Sequence, residues 1–305
     1  MAGPLLVAVP ARERPHASAY HQAVTKTAAT QDPAVVTLGA VHVVFWPGQA
    51  GLATALAEFA DRAGPWPGLP DSVRPPVRII LARSERQFDS LTAGRLPEWG
   101  AGAALPSSNT VVLQSRGDPF RILQHELAHL ALHAIVRRAP LWFDEGYAAR
   151  AAGEWSRLEA LRVNWAVASG RVPTLRALTA DLRGSAPQAE AAYALATTAV
   201  LLLERLGGER GLGPVVSALA AAGDMDRALR SAHQVSLEQF EQLWREDLRR
   251  RYGWVSLLGS MGGLWMVVLL LAGGLWWVRR RRYAVRRKAL DEGWVIAPDD
   301  IGPSA

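Results

Sequence analysis

The sequence predicts an α+β fold whose carboxyl half is helical, followed by one C-terminal transmembrane helix. Three observations carry this expectation. Up to Pro140, β-branched apolar runs alternate with stretches of helical spacing; beyond Pro140 the strand signals stop; and Trp254 to Val278 is a run of 25 residues without a charge. With 305 residues, half of them apolar, the chain can bury a sizeable core.

Residues 1–33 read as an N-terminal segment holding a poor or truncated export signal. The short apolar run Pro4 to Val9 has no positive charge ahead of it, Arg12 to Pro15 interrupt it, and Ala17 to Ala19 resemble a cleavage site. From Ala34, "AVVTLGAVHVVFWPG" reads as a strand pair, and Leu52 to Gly64 has helical spacing. A breaker-rich loop, Pro65 to Pro76, precedes the strand Val77 to Ala82. Ser84 is placed to cap a short helix that Gly94 stops. A Gly/Pro-rich connection then leads to a third strand, Asn109 to Gln114. Asp118 stands ready to cap, and Pro119 to open, a helix of about five turns. After Pro140, runs from "PLWFDEGYAARAAG" to "SLEQFEQLWREDLRRRYG" all read as helices. The expected division of residues 34–252 is an α+β half, 34–139, and a helical half, 140–252.

Charge and composition narrow the function. There is no cysteine, so any metal must be held by histidine and carboxylate. The net charge of +6 does not argue for nucleic-acid binding, because "RRRRYAVRRK", Arg279 to Lys288, concentrates seven positive charges in one short run. The uncharged run 254–278 would cover roughly 37 Å as a helix, enough to cross a hydrocarbon core. Trp254, Trp276 and Trp277 stand where an aromatic belt would place them. The positive-inside rule then puts the basic tail, 279–305, in the cytoplasm and the residues before Trp254 outside, in a single-pass protein of a bacterial cell membrane.

The stretch "RILQHELAHLALH", Arg121 to His133, carries the chemistry. Residues four apart on a helix lie one above the other, so His125 and His129 offer their imidazoles to one point, which is half of a tetrahedral zinc shell. Glu126, turned about 100° from His125, flanks such an ion and suits a general base acting on water. The pattern is the HExxH of zinc peptidases. The longer HExxHxxGxxH fails, since Leu132 and Ile135 stand at its glycine and last histidine. A carboxylate on the next helix is the other source of a third ligand, and Glu145 in "PLWFDEGYAAR" is placed for it.

At these residues the sequence resembles the gluzincin zinc metallopeptidases, the peptidase-MA-like group whose second helix reads W-x-x-E-G-x-A. Trp142, Glu145, Gly146 and Ala148 match it. The resemblance implies a zincin-like catalytic domain, one zinc ion on His125, His129 and Glu145, and Glu126 as catalytic base. It also implies that Asn109 to Gln114 is the edge strand along which a peptide or protein substrate lies. The amine-gripping acidic motif of the aminopeptidases is missing from "GAALPSSNTVVL", which favours an endopeptidase. Ala149 stands where thermolysin-like relatives carry a histidine-orienting aspartate, and Asp144 is the substitute candidate against a solvated helix residue.

Other residues read less sharply. His133 is about 12 Å along the helix from His125, too far to share its ion, and reads as core or supporting. Tyr193 is either an oxyanion-stabilising donor or a core tyrosine. Two other functions share the ligand set or the fold: a catalytically silent scaffold, and a zinc hydrolase of a non-peptide amide or ester.

Overall fold

The computed structural model describes residues 32–94, 100–252 and 261–291, the last stretch with side chains from Trp265 to Tyr283. The expected export signal lies outside the described residues. The chain divides into two compact units, Met1–Tyr252 and Gly253–Ala305.

In the first unit, β1 (Ala34–Leu38) and β2 (Val41–Phe45) form an antiparallel hairpin, with Val41, Val43 and Phe45 inward and His42 exposed. β3 (Val77–Ala82) pairs parallel with β2. β4 (Gly102–Leu105) and β5 (Thr110–Gln114) are antiparallel, and β5 is parallel to β3, giving the order β1-β2-β3-β5-β4. Alternation along the strands feeds two faces. Ile79, Leu81, Val111 and Leu113 join the main core, whereas Ala82, Ala103 and Val112 pack with Phe88 in a small separate cluster.

Two expectations are corrected here. The Gly/Pro-rich connection contains a strand, β4, whose Gly102, Ala103 and Ala104 carry almost no β propensity. Strand β5 is therefore not the edge: it lies between β3 and β4, and β4 takes the outer position. The small residues of β4 let a helix pack directly onto it. A Cβ on Gly102 would stand 2.4 Å from Ile122 Cγ2 and 2.8 Å from Glu126 Oε1, so the strand backbone and the helix that carries Ile122 and Glu126 meet with no room for a side chain.

Local signals set the helix ends. α1 (Ala50–Asp61) follows the hairpin, and α2 (Glu85–Leu91) is capped by Ser84, whose hydroxyl accepts from the Gln87 amide. α3 (Pro119–Ile135) starts with Asp118 accepting from the Arg121 amide and Pro119 in the first turn, as expected. Helices alone follow: α4 (Leu141–Ala151), α5 (Arg157–Ala168), α6 (Leu178–Asp181), α7 (Ala186–Leu206), α8 (Gly213–Ala222), α9 (Met225–His233) and α10 (Leu237–Tyr252). α4 packs between α3 and α7. A Cβ on Gly146 would lie 2.5 Å from Ala196 O, so α4 and α7 touch backbone to backbone. Buried Trp244 of α10 donates to Thr198 Oγ1 of α7 at 2.9 Å and closes that layer.

The second unit contains one described helix, α11 (Met261–Asp291). The transmembrane expectation fails on it, because no helix among the described residues is long and apolar enough to cross a membrane. Helix α11 runs on unbroken from Met261 through the arginines from Arg279. The single-pass membrane placement, which rested on that span, falls with it.

Candidate metal centre

Helix α3 lies between the sheet and α4, so its residues from Ile122 to Leu132 are almost all buried. Three of them are ionisable. His125, Glu126 and His129 have no exposed surface, and α4 adds Asp144, also fully buried, and Glu145, 2% exposed. Burying this many charges is costly unless each has a partner. The partners that exist, and the atoms left without one, define the site.

Each histidine is held from behind by a carboxylate. His129 Nδ1 is 2.7 Å from Asp144 Oδ1, and His125 Nδ1 is 3.2 Å from Glu154 Oε1. A carboxylate only accepts, so each Nδ1 donates and leaves its Nε2 lone pair facing the other way. His125 Nε2, His129 Nε2 and Glu145 Oε2 are all buried without a hydrogen-bond partner. They converge: Glu145 Oε2 is 3.6 Å from His125 Nε2 and 3.8 Å from His129 Nε2. Those gaps are too long for hydrogen bonds. Two donors each about 2.1 Å from a tetrahedral zinc stand roughly 3.4 Å apart, which is close to what is seen. The three side chains form a group able to hold a metal ion. The chemistry of the set, two imidazoles and one carboxylate, suits zinc.

Glu126 sits beside this group with both carboxylate oxygens buried and without a hydrogen-bond partner. Burial pushes its carboxyl well above the usual range; Glu145 adds to the rise and His125 opposes it. Burial would lower His125, but the surrounding carboxylates, Glu154 first, outweigh it and raise this imidazole well above its ordinary value. Glu145 is raised by burial, against the pull of His125 and His129. For Asp144 burial is overcome by His129 and His133, and its carboxyl is held well below the usual range. Tyr193 comes from α7 and is buried. Its hydroxyl donates to Glu145, and burial, followed by the charge of Glu145, keeps the phenol protonated far above its ordinary range.

All residues singled out from the sequence thus meet in one place: His125, Glu126 and His129 from α3, Glu145 from α4 and Tyr193 from α7. Asp144, weighed against a solvated helix residue, is the buried partner of His129. His133 is a supporting group, its Nε2 2.8 Å from Asp144 Oδ2. Glu154 was not anticipated. It follows the end of α4 at Gly153, and no helical spacing from Glu145 points to it.

No family model matches the chain, and no curated protein does. Among solved structures, the chain is similar to a point mutant of a two-domain M1 zinc metallopeptidase bound to L-tryptophan, with 16% identity and a TM-score of 0.40 over 70% of this chain and 51% of that one. The chain spans about half the length of that protein.

Proposed function

We propose that this chain is a zinc-dependent hydrolase of zincin-like fold that cleaves peptide bonds, with His125, His129 and Glu145 as metal ligands and Glu126 as general base. One observation carries the reading: three buried, unpartnered ligand atoms converge at the spacing of a tetrahedral shell, with an unpartnered carboxylate beside them. A silent scaffold would have no use for so many uncompensated buried polar atoms, each of which costs stability. Bound zinc would supply a Lewis acid that polarises a carbonyl and lowers the pKa of a nearby water. Glu126 takes the proton of the attacking water and returns it to the leaving amine, a role that its raised carboxyl suits near neutral pH. Asp144 and Glu154 hold the imidazoles in the tautomer that ligates. Tyr193, a phenol that keeps its proton, donates it to Glu145 and so orients that carboxylate. The run Gly102 to Leu113, "GAALPSSNTVVL", carries no acidic residue to grip a free amine, which favours internal cleavage.

The test is a peptide-library digest with wild-type protein and Glu126→Gln, including peptides blocked at both ends. Hydrolysis by wild type, lost in Glu126→Gln with zinc content unchanged, supports the reading; equal hydrolysis by both proteins refutes it. Cleavage of blocked peptides marks an endopeptidase, and cleavage of small esters or amides alone would move the substrate class.

A further inference from the structure

Behind the site, α3 and α4 share a second group of ionisable side chains: His129, His133 and Asp144. Their distances decide what the group is. Asp144 Oδ1 is 2.7 Å from His129 Nδ1, and Asp144 Oδ2 is 2.8 Å from His133 Nε2. Donors around a common zinc would stand roughly 3.4 Å apart, so these are hydrogen bonds and not a second ion's shell. The other nitrogen of His133, Nδ1, faces the backbone carbonyl of Val136 at 3.1 Å. Neither the carboxylate nor the carbonyl can donate, so both ring nitrogens of His133 must, and the ring is an imidazolium.

Resting on the zinc reading above, we infer that His133 is a positioning residue for the ligand His129: anchored on Val136 O at the C-terminal end of α3, it grips Asp144 Oδ2 and so fixes Asp144 Oδ1 against His129 Nδ1. The physical reasons are three. A buried carboxylate held by one hydrogen bond can rotate about its terminal torsion, whereas one held at both oxygens cannot. The imidazolium balances the buried charge of Asp144. The anchor is the carbonyl at which α3 ends: Val136 is its C-cap, in extended conformation, and a cation there also meets the negative end of the helix dipole. In accord with this, His133 is raised although burial alone would lower it, through the hydrogen bond and charge of Asp144 and the Val136 carbonyl. His133 itself touches no substrate or metal.

The test uses the full chain and two variants. His133→Phe keeps a ring and removes both donors; His133→Gln restores a donor at about the reach of Nε2. Zinc affinity is measured by competition with a chelator, and the histidine rings of the metal-free proteins by nitrogen NMR. Supporting partners of a ligating histidine are worth about 10–100-fold in affinity, so His133→Phe is expected at the low end, about tenfold weaker, with His133→Gln recovering most of the loss. In wild type both nitrogens of His133 carry protons and His129 is protonated at Nδ1; in His133→Phe the His129 proton is shared between tautomers. Unchanged affinity in His133→Phe with zinc-binding wild type would overturn the inference alone. Wild type that binds no zinc would overturn the metal reading and this one with it. If His133→Phe fails to fold, the nitrogen NMR of wild type decides: protons on both nitrogens of His133 support the role, and a His133 with a single ring proton refutes it.

Discussion

The two histidines proposed as ligands, His125 and His129, sit one helical turn apart on α3, yet they are supported in different ways. His129 is backed by Asp144, wholly buried on the first turn of α4, at 2.7 Å, and Asp144 is itself tied to His133. His125 is backed by Glu154, from the segment after α4, at 3.2 Å, with a side chain 19% exposed. Charge-assisted bonds gain strength where water is excluded, and lose it where solvent screens them. The difference teaches that one half of the site is built into the core, while the other is held from its rim.

That contrast yields an ordered set of expected effects, all read as zinc affinity by chelator competition. Replacing a ligand, as in His129→Ala, should abolish tight binding. Asp144→Asn should cost close to the upper part of the 10–100-fold range for supporting groups, because it also leaves His133 without its anion. Glu154→Gln should cost about tenfold or less. Equal losses, or the reverse order, would break the comparison. Salt gives a smaller and finer test. The Glu154→Gln effect should shrink between low and high ionic strength, whereas the Asp144→Asn effect should hold, since buried pairs are screened much less.

Protons compete with the ion on the rim side. His125 is raised in the metal-free fold because burial, the largest influence, is outweighed by the carboxylates around it taken together, Glu154 first among them, so it must lose a proton before it can ligate. The sign follows: apparent zinc affinity should rise with pH through the raised His125 range, which begins above the ordinary imidazole value of about 6.5, and fall below it. Calorimetry in buffers of different ionisation enthalpy should detect proton release on zinc binding. In Glu154→Gln the largest of the raising charges is gone, so the pH dependence should move towards lower pH; no movement would show that Glu154 does not contribute to it.

Much of this architecture is legible in the residues. Asp118, Pro119 and Pro140 bound the two site helices by local capping and turn chemistry, and the spacing of His125 and His129 needs only helical geometry. Glu145 follows from the helix after the Pro140 turn. What was hidden depends on tertiary contact. The strand Gly102–Leu105 has small residues because α3 presses on it, which erases its propensity signal. The edge position of that strand is a matter of pairing, not of composition. Glu154 reaches His125 only because the chain turns after α4, and His133 reaches Asp144 only because α3 and α4 cross. For the uncharged run 254–278, absence of charge alone predicts a membrane span, whereas no helix among the described residues is long and apolar enough to cross a membrane.

Three converging atoms, His125 Nε2, His129 Nε2 and Glu145 Oε2, are expected to hold one zinc ion. Elemental analysis of the full chain, loaded with zinc and dialysed, tests it directly when run beside Glu145→Gln. One zinc per chain in wild type, with little or none in the variant, is the expected result. Wild type without zinc, or a variant that keeps its full share, would contradict the account.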